Sequence, residues 1–217
     1  MSFGYKTAWF AVRTEDGEAV ASALGLVALA PATAVDAIHA GYHTAGKVFI
    51  TSAIDGWTLA MSRSFFDLVD DRPPQFLDML RRVSSELGAE AQFFLTYRVV
   101  DAHAWARACR GKIERAYGHL QGDDILNLGA MTAEETVLGH RFFDPACAEA
   151  QHDAYWQRDD LRFPDEGDVM EVAARWSIDP SVREDMSNGW LADRSKAPAA
   201  APASPPPPHG KPWWKLW

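Results

Sequence analysis

Between residues 92 and 128 the side chains alternate with a period of two, and no other stretch restricts the fold as strongly. Phe93, Leu95, Tyr97 and Val99 share one face. After Asp101, the run His103-Ala-Trp105-Ala-Arg107-Ala-Cys109 sets large side chains against small ones, and Arg110-Gly111 signals a turn into residues 112–120. This pattern predicts an antiparallel meander of three strands, with room for a fourth.

The elements before it alternate between strand and helix signals. Residues 7–13 are rich in β-formers, Glu15-Asp16-Gly17 marks a turn, and residues 18–24 suit a short helix. Residues 28–46 read as a second helical piece or a long excursion starting near Pro31. Two apolar runs, 48–51 and 57–61, flank Asp55-Gly56, a hairpin turn dipeptide, so the pair is expected to be antiparallel. Phe76, Leu80, Val83 and Leu87 then recur on one face of a helix that Pro73-Pro74 starts and Gly88 stops. Beyond the meander, Thr132-x-x-Glu135 has the form of a capping box. Asp165 caps a helix with the apolar stripe Val169, Val172, Ala173 and Trp176, which Asp179-Pro180 ends. The order contains βαββαβ. The expected class is therefore α+β, with a ferredoxin-like antiparallel sheet extended by extra strands and flanked by helices.

Charge narrows the partners. All 30 Asp and Glu fall within residues 1–193, together with 17 of the 21 Lys and Arg, so that body carries a net −13 while the chain carries −9. Such a field repels phosphate backbones and steers basic proteins inward, so the expected partner is a protein and not a nucleic acid. The N-terminal residues lack a secretory pattern, and the alanine-rich apolar stretch 19–32 is too short to span a bilayer, so a cytoplasmic location is expected. Cys109 and Cys147 stand apart with no C-x-x-C element, which supports neither a zinc ribbon nor a disulfide framework.

Residues 1–193 are read as one folded domain, 194–210 as a Pro/Ala-rich linker and 211–217 as a tip carrying Trp213, Trp214 and Trp217. Three indoles and two lysines on a spacer are suited to a receiving surface. A protein groove or the protein's own acidic body ranks ahead of an anionic membrane, because a seven-residue anchor is weak.

Three groups of side chains are candidates for binding or chemistry. His39 and His43 have helical ligand spacing but lack the glutamate of H-E-x-x-H and read as ordinary histidines. On the meander, His103, Trp105 and Arg107 share a face of one strand, and Arg115, Tyr117 and His119 share a face of the next. Should the two faces coincide, an aromatic and cationic patch able to hold a carboxylate results; otherwise the same side chains pack beneath a helix. The densest acidic region holds Asp159, Asp160, Asp165, Glu166 and Asp168, with Asp123 and Asp124 as neighbours to consider. It fails the calcium-loop pattern and reads as a solvated, partner-facing patch. No phosphate-binding glycine loop, nucleophile elbow or dinucleotide fingerprint is present, so no catalytic residue, cofactor or metal is assigned.

Five strings, Val48-Phe-Ile-Thr51, Gly56-Trp-Thr-Leu59, His103-Ala-Trp-Ala-Arg107, Arg115-Ala-Tyr117 and Trp176-Ser-Ile-Asp-Pro180, together resemble a group of mostly uncharacterised bacterial proteins over about residues 45–191. Some members are immunity-like and associated with secreted-toxin systems. The resemblance implies an accessory or immunity-type protein and carries over no catalytic residues; with the −13 body and the missing motifs, the expectation is an acidic module that binds and occludes a basic toxin domain. A small-molecule or enzymatic domain built on the His/Arg/Tyr face, and an adaptor presenting the Trp-rich tip, are the alternatives.

Overall fold

The computed structural model describes residues 6–69, 74–121, 124–182 and 188–194. β1 (Lys6–Val12) lies inside a nine-stranded antiparallel sheet and is buried on both faces, which explains its continuous apolar run. Ala8, Phe10 and Val12 face one side, and Trp9 and Ala11 the other. Asp16 caps α1 (Gly17–Ala23) by accepting from the Ala19 N–H at 2.9 Å. The chain then passes through β2 (Leu26–Thr33) and α2 (Ala34–His43) before entering β3 (Lys47–Thr51).

The turn between β3 and β4 (Thr58–Ser62) places Asp55 and Gly56 at φ +50° and +81°, the left-handed pair that a two-residue hairpin requires. A 3₁₀ segment, Arg63–Val69, precedes α3 (Gln75–Glu86), whose Phe76, Leu77, Leu80 and Val83 are buried. β5 (Glu90–Tyr97), β6 (Ala102–Cys109), β7 (Lys112–Gln121) and β8 (Asp124–Leu128) form the meander, and the fourth strand is present. α4 (Ala133–Leu138) and α5 (Glu166–Trp176) each begin with a capping box, and β9 (Asn188–Arg194) closes the fold.

The strand order is β2-β9-β3-β4-β1-β5-β6-β7-β8. Its centre, β3-β4-β1-β5, paired antiparallel throughout with α1 and α3 on one face, is the ferredoxin-like arrangement of a βαββαβ unit. The meander extends one edge and the pair β9-β2 the other.

Two apolar layers sandwich the sheet. Beneath α1 and α3, Phe93 contacts both Phe10 and Phe76, with ring centroids 5.0 and 4.5 Å away. On the opposite face, Trp9 stacks on Phe94 at 5.0 Å under α2 and α5, and Trp105 and Tyr117 extend that layer toward the meander. Each fully buried aromatic contributes roughly 1.5–3 kcal/mol of transfer free energy, so truncating Phe93 removes a junction shared by two elements.

The structure departs from the sequence reading in two strands. β2 occupies part of what read as a helical piece, and β9 occupies residues assigned no element. Both are paired entirely to distant segments: β2 runs along β9, and β9 inserts between β2 and β3. Arg194, placed at the start of the linker by sequence, is the last residue of β9. The Trp-rich tip, with Trp213, Trp214 and Trp217, and the rest of the linker lie outside the described residues, as does Asp123.

Candidate functional site

The meander places its large polar side chains opposite one another. His103 pairs with His119, Trp105 with Tyr117 and Arg107 with Arg115, so the two strand faces coincide. What covers them is the chain itself. Trp105, Tyr117, Arg115, His103 and His119 are all buried, and Arg107 is half-buried.

Arg115, Trp105, Tyr117 and His103 each meet a hydrogen-bond partner from the covering layer or the sheet. Arg115 donates from Nε to both carboxylate oxygens of Glu135 at 3.0 Å, and from Nη1 to Asn127 at 2.6 Å. Trp105 Nε1 donates to the same Glu135 at 2.9 Å, Tyr117 donates to the Phe143 carbonyl at 2.7 Å, and the His103 ring bonds Thr96. Arg107 lies over the Trp176 ring and near Glu114. The carboxylate that this aromatic and cationic face holds is thus Glu135, the residue that also closes the capping box of α4. Burial raises the Tyr117 pKa well above its ordinary value, and burial lowers that of His103.

A cleft of about 540 Å³ opens beside this covered face, and none of the six meander side chains lines it. Its walls come from the end of α4, the segment 159–162 and the first turns of α5. Gly139, the left-handed cap of α4 at φ +71°, turns the chain so that His140 enters the interior beside Phe142. Phe142 stacks on Tyr117 at 5.2 Å, and backbone bonds between 141–143 and Arg162 fix that segment.

Arg162 aims both terminal nitrogens at Asp168, the residue that caps α5 reciprocally with Asp165. Asp168 is buried, whereas the sequence reading placed it on a solvated face; the two-pronged arginine pair and the Asp165 N–H are what offset its desolvation. Burial pushes the Asp168 pKa up, but the Arg162 and Asp165 hydrogen bonds and the Arg162 and His140 charges bring it below the ordinary carboxylate value. Asp160, at the surface, is held down to about 2, first by its hydrogen bond from Arg158 and then by the Arg158 and Arg141 charges.

Four of the five acidic residues singled out by sequence, Asp159, Asp160, Asp165 and Asp168, line this cleft; Glu166 does not, and burial raises its pKa. Glu171 adds a fifth carboxylate against the guanidinium groups of Arg141 and Arg162, so negative charge is in surplus. His140, Arg141, Arg162 and Glu171 escaped the sequence reading. Asp168-x-x-Glu171 could have signalled two carboxylates on one helix face, but nothing in spacing links His140 to them across 28 positions.

His39 and His43 lie exposed on α2 with ring centroids 4.5 Å apart. No helix among the described residues is long and apolar enough to cross a membrane. Comparison with protein-family models, curated proteins and solved structures finds no match to this chain.

Proposed function

We propose that the protein is an acidic protein-binding module, an immunity-like inhibitor acting in the cytoplasm, and that the cleft beside α5 receives basic side chains from a partner such as a toxin domain. The observation that carries this reading is the surplus of carboxylates in the cleft. Asp160 and Asp168 are already engaged by arginines, but Asp159 is exposed, and the side chains of Asp165 and Glu171 are 71% and 60% exposed. Exposed carboxylates on a concave wall give up little solvation until a guanidinium or ammonium group arrives, and then form charge-assisted bonds in a partly dry setting. The −13 body adds long-range steering toward a basic face. The resemblance of the five sequence strings to immunity-like bacterial proteins points the same way.

The test is co-expression with the products of adjacent genes, followed by measurement of complex affinity and of inhibition of the captured product. Asp159→Lys combined with Asp165→Asn, the latter keeping a helix-capping side chain, is expected to weaken the complex at least ~10-fold and to flatten its salt dependence. A complex of unchanged affinity in that variant removes the cleft from the interface.

A further inference from the structure

Asp168 and Glu171 are three residues apart on α5 and therefore stand on one helix face, and the turn at Gly139 delivers His140 to the same point. His140 Nε2 lies 3.1 Å from an Asp168 oxygen and 3.4 Å from a Glu171 oxygen, and the three ligand atoms lie within 4.8 Å of one another. One ring N–H cannot serve two carboxylates fully. Metal–ligand bonds of about 2.0–2.2 Å, by contrast, place neighbouring donor atoms about 3.0–3.5 Å apart in octahedral or tetrahedral geometry. Both nitrogen–oxygen spacings fall in that range.

We propose that His140, Asp168 and Glu171 form a binding site for a divalent transition-metal ion of the zinc class at the edge of the cleft. Imidazole with two carboxylates favours such an ion over magnesium or calcium, which take oxygen donors alone. The charge balance fits: two carboxylates neutralise the ion, and Arg162 is offset by Asp165, 3.7 Å away. Arg162 grips both oxygens of Asp168 and fixes the carboxylate, leaving the lone pair that faces Nε2 for the ion. Glu171, with its side chain 60% exposed, can swing inward to complete the set. Three protein ligands leave a position on the cleft side for water or for a donor atom of whatever the cleft receives.

Binding moves the imidazole proton to Nδ1, which is buried and has no hydrogen-bond partner. The usual second partner of a metal-bound histidine is thus lacking, and an affinity about 10–100-fold below that of a site with such a partner is expected.

The metal site shares Glu171 with the cleft proposed to receive the partner, but its test needs no partner. Full-length protein stripped with a chelator is titrated with Zn²⁺ by calorimetry and with Co²⁺ by visible absorption. His39→Ala/His43→Ala serves as background, because that exposed pair has chelating spacing of its own. One equivalent is expected to bind in this background, to weaken at least ~10-fold in Glu171→Gln and to be lost in His140→Ala. Glu171→Gln keeps the fold because its side chain is mostly exposed, so zinc should raise the melting temperature of the parent more than that of this variant at the same concentration. Absence of binding in the background, or binding that both site variants leave unchanged, overturns the proposal. Partner capture in chelator-containing buffer remains the separate readout of the proposed function.

Discussion

Arg115 and Glu135 form an ion pair sealed inside the protein, with 3% and 2% of their side chains exposed and Arg115 Nε 3.0 Å from each carboxylate oxygen. Glu135 also accepts from Trp105 Nε1 and from the Thr132 N–H, so one carboxylate ties the meander to the first turn of α4. Removing one member strands the other charge without solvent. Glu135→Gln and Arg115→Met are each expected to cost about 3–5 kcal/mol, and the double variant clearly less than their sum. Urea unfolding of the four proteins measures the coupling.

The same pair shows where sequence reasoning succeeds and where it stops. Thr132-x-x-Glu135 announces a capping box from spacing alone, and the helix starts there because cap chemistry is local. The alternation of His103, Trp105 and Arg107 likewise reveals a strand. That these side chains pack beneath a helix is one of the two readings the alternation allows, but which segments cover them is invisible, because α4, α5 and residues 139–163 reach that face through contacts with no sequence period. β2 and β9 escape for a related reason: their ladders join positions more than 130 residues apart, and their side chains are only partly buried, so neither carries a clean alternation. The acidic cluster is legible as charge, but the burial of Asp168 depends on Arg162 and His140, whose relation to it is purely spatial.

β9 fits between its neighbours only if residue 189 has no side chain. A Cβ on Gly189 falls 2.0 Å from the Ile50 carbonyl oxygen, an atom of the β3 backbone that cannot move without breaking the ladder. Gly189→Ala is expected to destabilise the protein by about 3 kcal/mol and to speed amide exchange across β9 and β2. Asn188→Ala, one position earlier and exposed, is expected to stay within about 0.5 kcal/mol of the parent.

His103 makes stability depend on pH in a defined direction. Its pKa is lowered from 6.5, chiefly by burial and further by His119, against the opposing charges of Asp101, Asp165 and Asp168. The unfolded chain therefore takes up the proton first. This group's contribution is fully present above 6.5, falls as pH drops from there toward the lowered folded value, and is flat below it. His103→Asn, which keeps an acceptor for Thr96, is expected to lessen the loss of unfolding free energy between about pH 7 and about pH 5. An unchanged slope in urea titrations of that variant assigns the pH dependence to other groups.

Arg162 and Asp168 govern behaviour at lower pH. Because the folded pKa of Asp168 lies below 3.8, the stabilisation from its charged form is complete above 3.8 and is lost as pH falls through the folded value. Arg162→Gln removes two charge-assisted bonds from a carboxylate that stays buried, so it is expected to cost about 2–3 kcal/mol at neutral pH. It should also raise the Asp168 pKa and move the acid-unfolding midpoint to higher pH. Arg162→Lys keeps the charge but not the planar fork, and should fall between the two proteins in both measurements. If the lysine variant matches the parent, the pair acts through charge alone; if it matches glutamine, the two parallel hydrogen bonds hold Asp168 at the mouth of the cleft. Circular dichroism followed from about pH 6 to about pH 2, combined with urea unfolding at neutral pH, separates these outcomes, since a loss of neutral-pH stability moves the acid midpoint by itself and only the remaining shift reports the pKa.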